Sequence, residues 1–231
     1  MLGIIGAMEP EVASLKEAME AVKINNIAGR EYYNGKINGK EVVVVKAGVG
    51  KVNAASCTQA LIDNYHPDYV LNTGIAGSLN ADINIGDVVL STDAVEHDME
   101  AIAFGYEVGQ IPQMDVFSFA SDKELRQLVK EACNKANPDI RVFEGRVVTG
   151  DQFIANKEKK QWLIDTFGGM CCEMEGAAIA HTAYLNNVPF LILRMISDKA
   201  DDSAEMDYPT FEAKAANDSA RLVIELCAHL D

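Results

Sequence analysis

A single α/β domain with a central mixed β-sheet flanked by helices is the fold this sequence predicts, and three observations carry it. Short apolar runs alternate with longer segments of helical spacing along the whole chain. Two Asn-Gly pairs, Asn34-Gly35 and Asn38-Gly39, mark tight turns near a hairpin, which adds an antiparallel part to a mostly parallel sheet. The 231 residues, 48% hydrophobic and 24% charged, suffice for one full core, and no linker divides them, so the expected domain spans 1–231.

Taken in order, Leu2–Ile5 is the first expected strand, and Pro10–Val22 the first helix. Pro10 suits a first helical turn, and Glu9 and Glu11 suit its positive end. Strand Glu41–Lys46 leads to helix Lys51–Tyr65, and strands Tyr69–Asn72 and Asp87–Ser91 follow. After an irregular stretch from Phe104 to Phe119 come helix Asp122–Lys135, strand Arg146–Thr149, helix Lys157–Phe167 and helix Gly176–Leu185. Strand Phe190–Ile196 and helix Pro209–His229 complete the pattern, with no internal repeat or low-complexity segment.

Charge and cysteine usage exclude several classes of function. With 35 acidic against 20 basic residues the net charge is −15, which repels nucleic-acid phosphates and anionic membrane surfaces. No uncharged stretch approaches membrane-spanning length. Five cysteines, an odd number without a C-x-x-C pair, suggest neither a disulfide framework nor a structural zinc site. A reducing cytoplasm is the expected location. The apolar start lacks a basic n-region and runs straight into Glu9 and Glu11, unlike a signal peptide.

Two glycine-rich junctions invite a phosphate-loop reading. In Ala47-Gly48-Val49-Gly50-Lys51 the Walker pattern fails, because Val45 stands where a glycine is needed and Val52 where a magnesium-ligating hydroxyl is needed. The dinucleotide fingerprint fails for want of a third glycine. Asn72-Thr73-Gly74-Ile75-Ala76-Gly77-Ser78 is a second strand-to-loop junction, where glycines let main chain approach a ligand closely or simply make a turn.

Chemistry concentrates in three acidic clusters at the ends of apolar segments: Glu9-Pro10-Glu11, Glu173-Met174-Glu175, and Ser197-Asp198 after Arg194. Glu173 and Glu175 share a face if extended and splay apart if helical. A carboxylate can accept hydrogen bonds from a sugar diol, deprotonate water, or deliver a proton to a leaving base. Taken singly, Glu11, Glu173 and Glu175 read equally well as helix-terminal acids, and Asp198 as part of a polar turn. The histidines, His66, His97, His181 and His229, fall in no metal-ligand spacing, so no metal is expected.

Several motifs in order resemble the nucleoside phosphorylase and nucleosidase superfamily, and within it the bacterial 5′-methylthioadenosine/S-adenosylhomocysteine nucleosidases. They are Gly3 to Glu11, Gly48-Val49-Gly50-Lys51, Asn72-Thr73-Gly74, Ala103-Phe104-Gly105-Tyr106, Gly150-Asp151-Gln152-Phe153-Ile154, Glu173-Met174-Glu175 and Arg194 to Asp198. The resemblance covers nearly the whole chain and implies a nucleoside phosphorylase/hydrolase-like fold and an N-glycosyl hydrolase without a cofactor. Its substrates would be 5′-methylthioadenosine and S-adenosylhomocysteine, with 5′-deoxyadenosine or an aminofutalosine-type nucleoside as further ones. Methionine salvage, clearance of a methyltransferase inhibitor and supply of signal precursors would all follow from that reaction. The alternatives are a purine nucleoside phosphorylase and a non-catalytic nucleoside sensor.

The resemblance further implies that Glu11 activates water with help from Arg194, that Glu175 beside Glu173 holds the ribose hydroxyls, and that Met174 packs under the sugar. Asp198 would protonate purine N7, oriented by Ser197. Phe153 would stack on adenine, and the Ile154 main chain would read its edge. Met8, Val49 and Tyr208 would meet the 5′-alkylthio group, Ile75 and Cys172 would stand beside the sugar and base, and Phe104 and Pro112 would arrive from the other subunit of a homodimer. The family often carries Ser where Ile75 stands and Phe where Tyr208 stands.

Overall fold

The last strand, Phe190–Asp198 (β10), is buried along its entire length and lies between Tyr69–Ser78 (β5), to which it is parallel, and Val88–Glu96 (β6), to which it is antiparallel. The structure, a computed structural model, describes residues 1–136 and 138–229, so positions 137 and 230–231 of the expected domain lie outside the described residues. The other strands are Leu2–Gly6 (β1), Glu20–Ile27 (β2), Arg30–Ile37 (β3), Lys40–Lys46 (β4), Phe119–Ala120 (β7), Val142–Thr149 (β8) and Cys171–Glu173 (β9). The helices are Glu9–Glu17 (α1), Lys51–Tyr65 (α2), Lys123–Ala136 (α3), Lys157–Phe167 (α4), Gly176–Leu185 (α5) and Ala204–Cys227 (α6).

The expected single-domain α/β fold with a mixed sheet is present. The ten-stranded sheet runs β10-β6-β8-β9-β5-β1-β4-β3-β2, with β7 on β6, and β10 also pairs with β5. That second pairing closes β5, β10, β6, β8 and β9 into a ring, which leaves these strands without free edges. Alternation along β10 divides the core. Leu193 and Met195 face the cluster that includes Leu15 of α1, Val129 of α3 and Val223 of α6, whereas Ile192 and Ile196 face the one that includes Leu61 of α2 and Ala180 of α5.

Several boundaries differ from those read in the sequence. Helix α1 stops at Glu17 rather than Val22, because Glu20–Ile27 pairs as an edge strand with β3. That strand is almost wholly exposed and carries Lys23, Asn25 and Asn26, polar residues suited to an unpaired edge. Asn38-Gly39 makes the β3–β4 turn with both residues left-handed, as expected of a tight hairpin. Asn34-Gly35, expected as a turn, lies within β3; a Cβ on Gly35 would stand 2.6 Å from the Glu20 carbonyl oxygen, where the β2 register shifts. Strand β5 continues through Ser78 where a loop was expected after Asn72, and β9 was not foreseen because three residues carry no periodicity. Helix α6 begins at Ala204, five residues ahead of Pro209, which removes only one main-chain donor near the helix start.

Candidate active site

Arg194 is about 1% exposed and lies against the carboxylates of two of the acidic clusters, Glu11 and the Glu173/Glu175 pair. Its Nη2 donates to Asn72 Oδ1 at 2.6 Å and to Glu173 Oε2, and stands 3.6 Å from Glu175 Oε2; Nη1 is 3.9 Å from Glu11 Oε1. Strand register sets this arrangement, since Arg194 pairs across β5 with Gly74. A Cβ at Gly74 would overlap both Arg194 Nη1 and Glu11 Oε1, so only glycine admits the guanidinium there.

Each carboxylate is fixed by local structure. Glu11 is the third residue of α1, and its Oε2 accepts from the main-chain N–H groups of Ala7 at 2.6 Å and Met8 at 2.9 Å, which otherwise end the helix unpaired. Its Oε1 accepts from the Ile75 N–H at 3.2 Å, so the donor at this position is main chain although the side chain is apolar. Glu173 ends β9 and caps α5. Its Oε2 accepts from Glu175 N at 3.1 Å and Gly176 N at 2.7 Å, and its Oε1 from the Thr149 hydroxyl, so both oxygens are engaged within the protein. Glu175, in the first position before α5, accepts from Gly50 N at 2.8 Å through Oε1. The two glutamates therefore follow neither the extended nor the helical alternative, because they straddle a strand-to-helix turn.

Asp198 stands at the other end of β10, where a bulge between Ile196 and Asp198 re-aims the chain. Its Oδ2 accepts from Ser197 Oγ and its Oδ1 from Ala200 N, each at 2.8 Å.

A cavity of about 360 Å³ is lined by Glu11, Glu173, Glu175, Ser197 and Asp198, with Met8, Val49, Ile75, Phe153, Cys172, Met174 and Tyr208 among its apolar walls. Tyr208 meets the Phe153 ring edge-on at 5.5 Å, and its hydroxyl lies 3.5 Å from Met8 Sδ. The volume falls within the range of roughly 300–1,000 Å³ usual for small-molecule sites. Four of the residues singled out in the sequence lie outside this wall. Ile154 is buried and lines a neighbouring cleft with Phe153, and Arg194 stands behind the carboxylates. Phe104 and Pro112 belong to the loop between β6 and β7, and Phe104 is 83% exposed. Ala7, Ala76, Gly77, Asn72 and Thr149 carry wall or supporting contacts that residue type alone did not reveal, although Asn72 and Ala7 lie inside motifs that were visible.

Electrostatics divides these groups. Burial raises the carboxyl pKa of Glu11 against the pull of Arg194 and three main-chain donors. Burial, and next the charge of Glu173, raise Glu175 to about 7. Burial also raises Asp198, opposed by Ala200 N–H and the Ser197 hydroxyl. Burial disfavours the charge on Arg194, yet Glu173, Glu175 and Glu11 hold its pKa above the usual value. One guanidinium cannot neutralise three carboxylates, so protons are bound more readily at Glu11 and Glu175.

Residues 1–228 match the sequence model of the phosphorylase superfamily, and the chain belongs to that superfamily. It is 42% identical, over 230 residues that make up 99% of each sequence, to the 5′-methylthioadenosine/S-adenosylhomocysteine nucleosidase of Shewanella loihica. The corresponding enzyme of Neisseria meningitidis, solved with methylthio-immucillin-A, superimposes with a TM-score of 0.95 at 39% identity over 99% of both chains. A futalosine hydrolase of Helicobacter pylori superimposes with a TM-score of 0.93 at 33% identity, over 99% of this chain and 97% of that one. Within the superfamily, the chain is a member of the 5′-methylthioadenosine/S-adenosylhomocysteine nucleosidase family.

The raised affinity of Glu175 for a proton makes a stability prediction. The folded state binds that proton more tightly than the unfolded chain, so the contribution is present below pH 4.5 and is lost as pH rises through about 7. In urea unfolding, the stability of wild type minus that of Glu175→Gln should fall with pH across this window and level off beyond it. A difference that rises with pH would contradict the assignment.

Proposed function

We propose that this chain hydrolyses the N-glycosidic bond of 5′-methylthioadenosine and S-adenosylhomocysteine, releasing adenine and 5-methylthioribose or S-ribosylhomocysteine. The observation that carries this reading is the joint presence of Glu11, Glu175 and Asp198 on one largely apolar cavity, each with a proton affinity raised by burial. Activity on 5′-deoxyadenosine and aminofutalosine is part of the proposal; the similarity to a futalosine hydrolase supports the latter.

In this mechanism Asp198 donates a proton to N7 of the departing adenine. A buried aspartate that holds its proton can act as an acid near neutral pH, and the Ser197 hydroxyl at 2.8 Å orients it. As the bond breaks the sugar gains oxocarbenium character, which nearby carboxylates stabilise. Glu11 positions and deprotonates the attacking water, held by Ala7, Met8 and Ile75 N–H groups, with Arg194 behind it. Glu175 accepts from the ribose hydroxyls, while Glu173, whose oxygens are already engaged, holds Arg194 and the start of α5 in place. Met174 lies under the sugar, Ile75 and Cys172 flank it, Phe153 stacks on the base and the Ile154 main chain reads its edge. Met8, Val49 and Tyr208 receive the 5′-alkylthio group.

Water rather than phosphate is the nucleophile in this reading. The cavity wall holds four carboxyl groups and, among the described residues, no lysine or arginine to hold a phosphate, which an ionised Glu11 would repel. We also propose a cytoplasmic homodimer in which Phe104 and Pro112 complete the partner's pocket. The exposure of Phe104 supports the dimer, and five buried free cysteines support a reducing compartment. Among the described residues no helix is long and apolar enough to cross a membrane.

Adenine release from 5′-methylthioadenosine should proceed in phosphate-free buffer with a free sugar as co-product; dependence on phosphate and a sugar 1-phosphate would make the protein a phosphorylase, and binding without release a sensor. Asp198→Asn should lower kcat by about 10²- to 10⁴-fold with the circular dichroism spectrum retained, and near-normal turnover would refute the acid role. Sedimentation should give a dimer, and Phe104→Ala should raise KM; a monomeric active enzyme would remove the second subunit from the site.

A further inference from the structure

Lys51 closes the Gly48-Val49-Gly50-Lys51 motif, yet it does not line the cavity and has no step in the proposed reaction. Its bonds tie together segments that do line it. The ammonium group donates to Glu96 Oε2 at 2.9 Å and Asp98 Oδ1 at 2.6 Å, at the end of β6 and in the turn beyond it. Its main-chain N–H donates to Asp151 Oδ1 at 2.8 Å, and the Asp151 N–H donates to Asp98 Oδ2 at 2.9 Å. Lys51, Asp98 and Asp151 thus form a closed ring of hydrogen bonds.

The ring joins two walls of the site. On one side Gly50, the residue before Lys51, donates its N–H to Glu175 Oε1 at 2.8 Å. On the other side Asp151 stands two residues before Phe153. Gly50 has a φ of +93°, and a Cβ there would stand 3.0 Å from Asp151 Oδ1, so the closeness of the two loops depends on that glycine. The Lys51 side chain is 19% exposed and that of Glu96 9%, which shelters the pair from the screening that weakens surface ion pairs. His181 Nδ1 lies 3.5 Å from the second oxygen of Glu96 and extends the cluster to α5.

We infer that Lys51 is a positioning residue, which clamps Gly50 to Asp151 and so fixes the spacing between the carboxylate that receives the ribose hydroxyls and the ring that receives the base. The inference rests on the nucleosidase reading. Lys51 acts through hydrogen bonds that other residues make, and touches no substrate itself. A misplacement of about 1 Å in such a frame is enough to cost about 10²-fold in rate.

The test compares wild type, Lys51→Met, which keeps the stem and removes the charge, and Lys51→Arg, which restores a cation. Each is assayed for adenine release from 5′-methylthioadenosine and from its 3′-deoxy analogue. Lys51→Met should lower kcat/KM for the full substrate by about 10- to 100-fold, and Lys51→Arg should recover most of that loss. Loss of the 3′-hydroxyl should cost Lys51→Met less than it costs wild type, because the carboxylate that senses the hydroxyl is no longer held; this coupling is what a merely structural lysine would not produce. Asp98→Asn opens the same ring from the other side and should show the same coupling, which keeps the test available if Lys51→Met does not fold. Equal costs of the 3′-deoxy change in wild type and variants, with normal adenine release by wild type, would overturn the role of Lys51 alone. No adenine release by wild type would overturn the nucleosidase reading and the positioning role with it.

Discussion

A fully buried guanidinium is the constraint on which the rest of this molecule turns. Removing a charge from water costs several kcal/mol, and Arg194 is retained only because Asn72, Glu173, Glu175 and Glu11 surround it. Those partners come from three separate segments, so the charge on β10 dictates how α1, β5 and the β9–α5 turn must meet it. Gly74 is part of the same requirement, since a side chain on the neighbouring strand would occupy the space of the ion pair. Burying one cation under three carboxylates adds little net stability by itself. What it provides is a set of acids held at fixed positions with unusual proton affinities.

Within that set the carboxylates divide by what remains free on each oxygen. Glu173 accepts from Thr149, from two N–H groups at the start of α5 and from Arg194, so both of its oxygens are engaged within the protein. Glu11 and Glu175 are held by main-chain donors at one oxygen or both, yet reach the cavity. Asp198 is held by the Ser197 hydroxyl and the Ala200 N–H rather than by Arg194, and burial raises its pKa. Strand ends and helix starts thereby present carboxyls of different proton affinity to the same space, the condition that acid and base chemistry on one substrate needs.

The closed ring of strands explains why these groups can be placed so closely. The bulge of β10 near Asp198 lies in its pairing with β5, where Gly77 makes room for the Asp198 carboxyl. By contrast the loop between β6 and β7 exposes apolar surface at Ile102 and Phe104.

The sequence by itself determined the α/β class, the helices α2 to α5 to within a residue or two, and the acidic residues that matter. Each of these is written locally, as apolar periodicity, as an acid at a helix start, or as an ordered motif. Tertiary structure alone decided that Glu20–Ile27 is a strand, that Asn34-Gly35 is a point of close approach, and that the sheet closes through β10 and β5. It also decided which oxygen of Glu173 is spent, and that Lys51 and Asp151, 100 positions apart, share a hydrogen bond. The reason is physical: propensity and periodicity act over a few residues, whereas strand pairing, burial and charge compensation depend on partners that only the folded chain brings together.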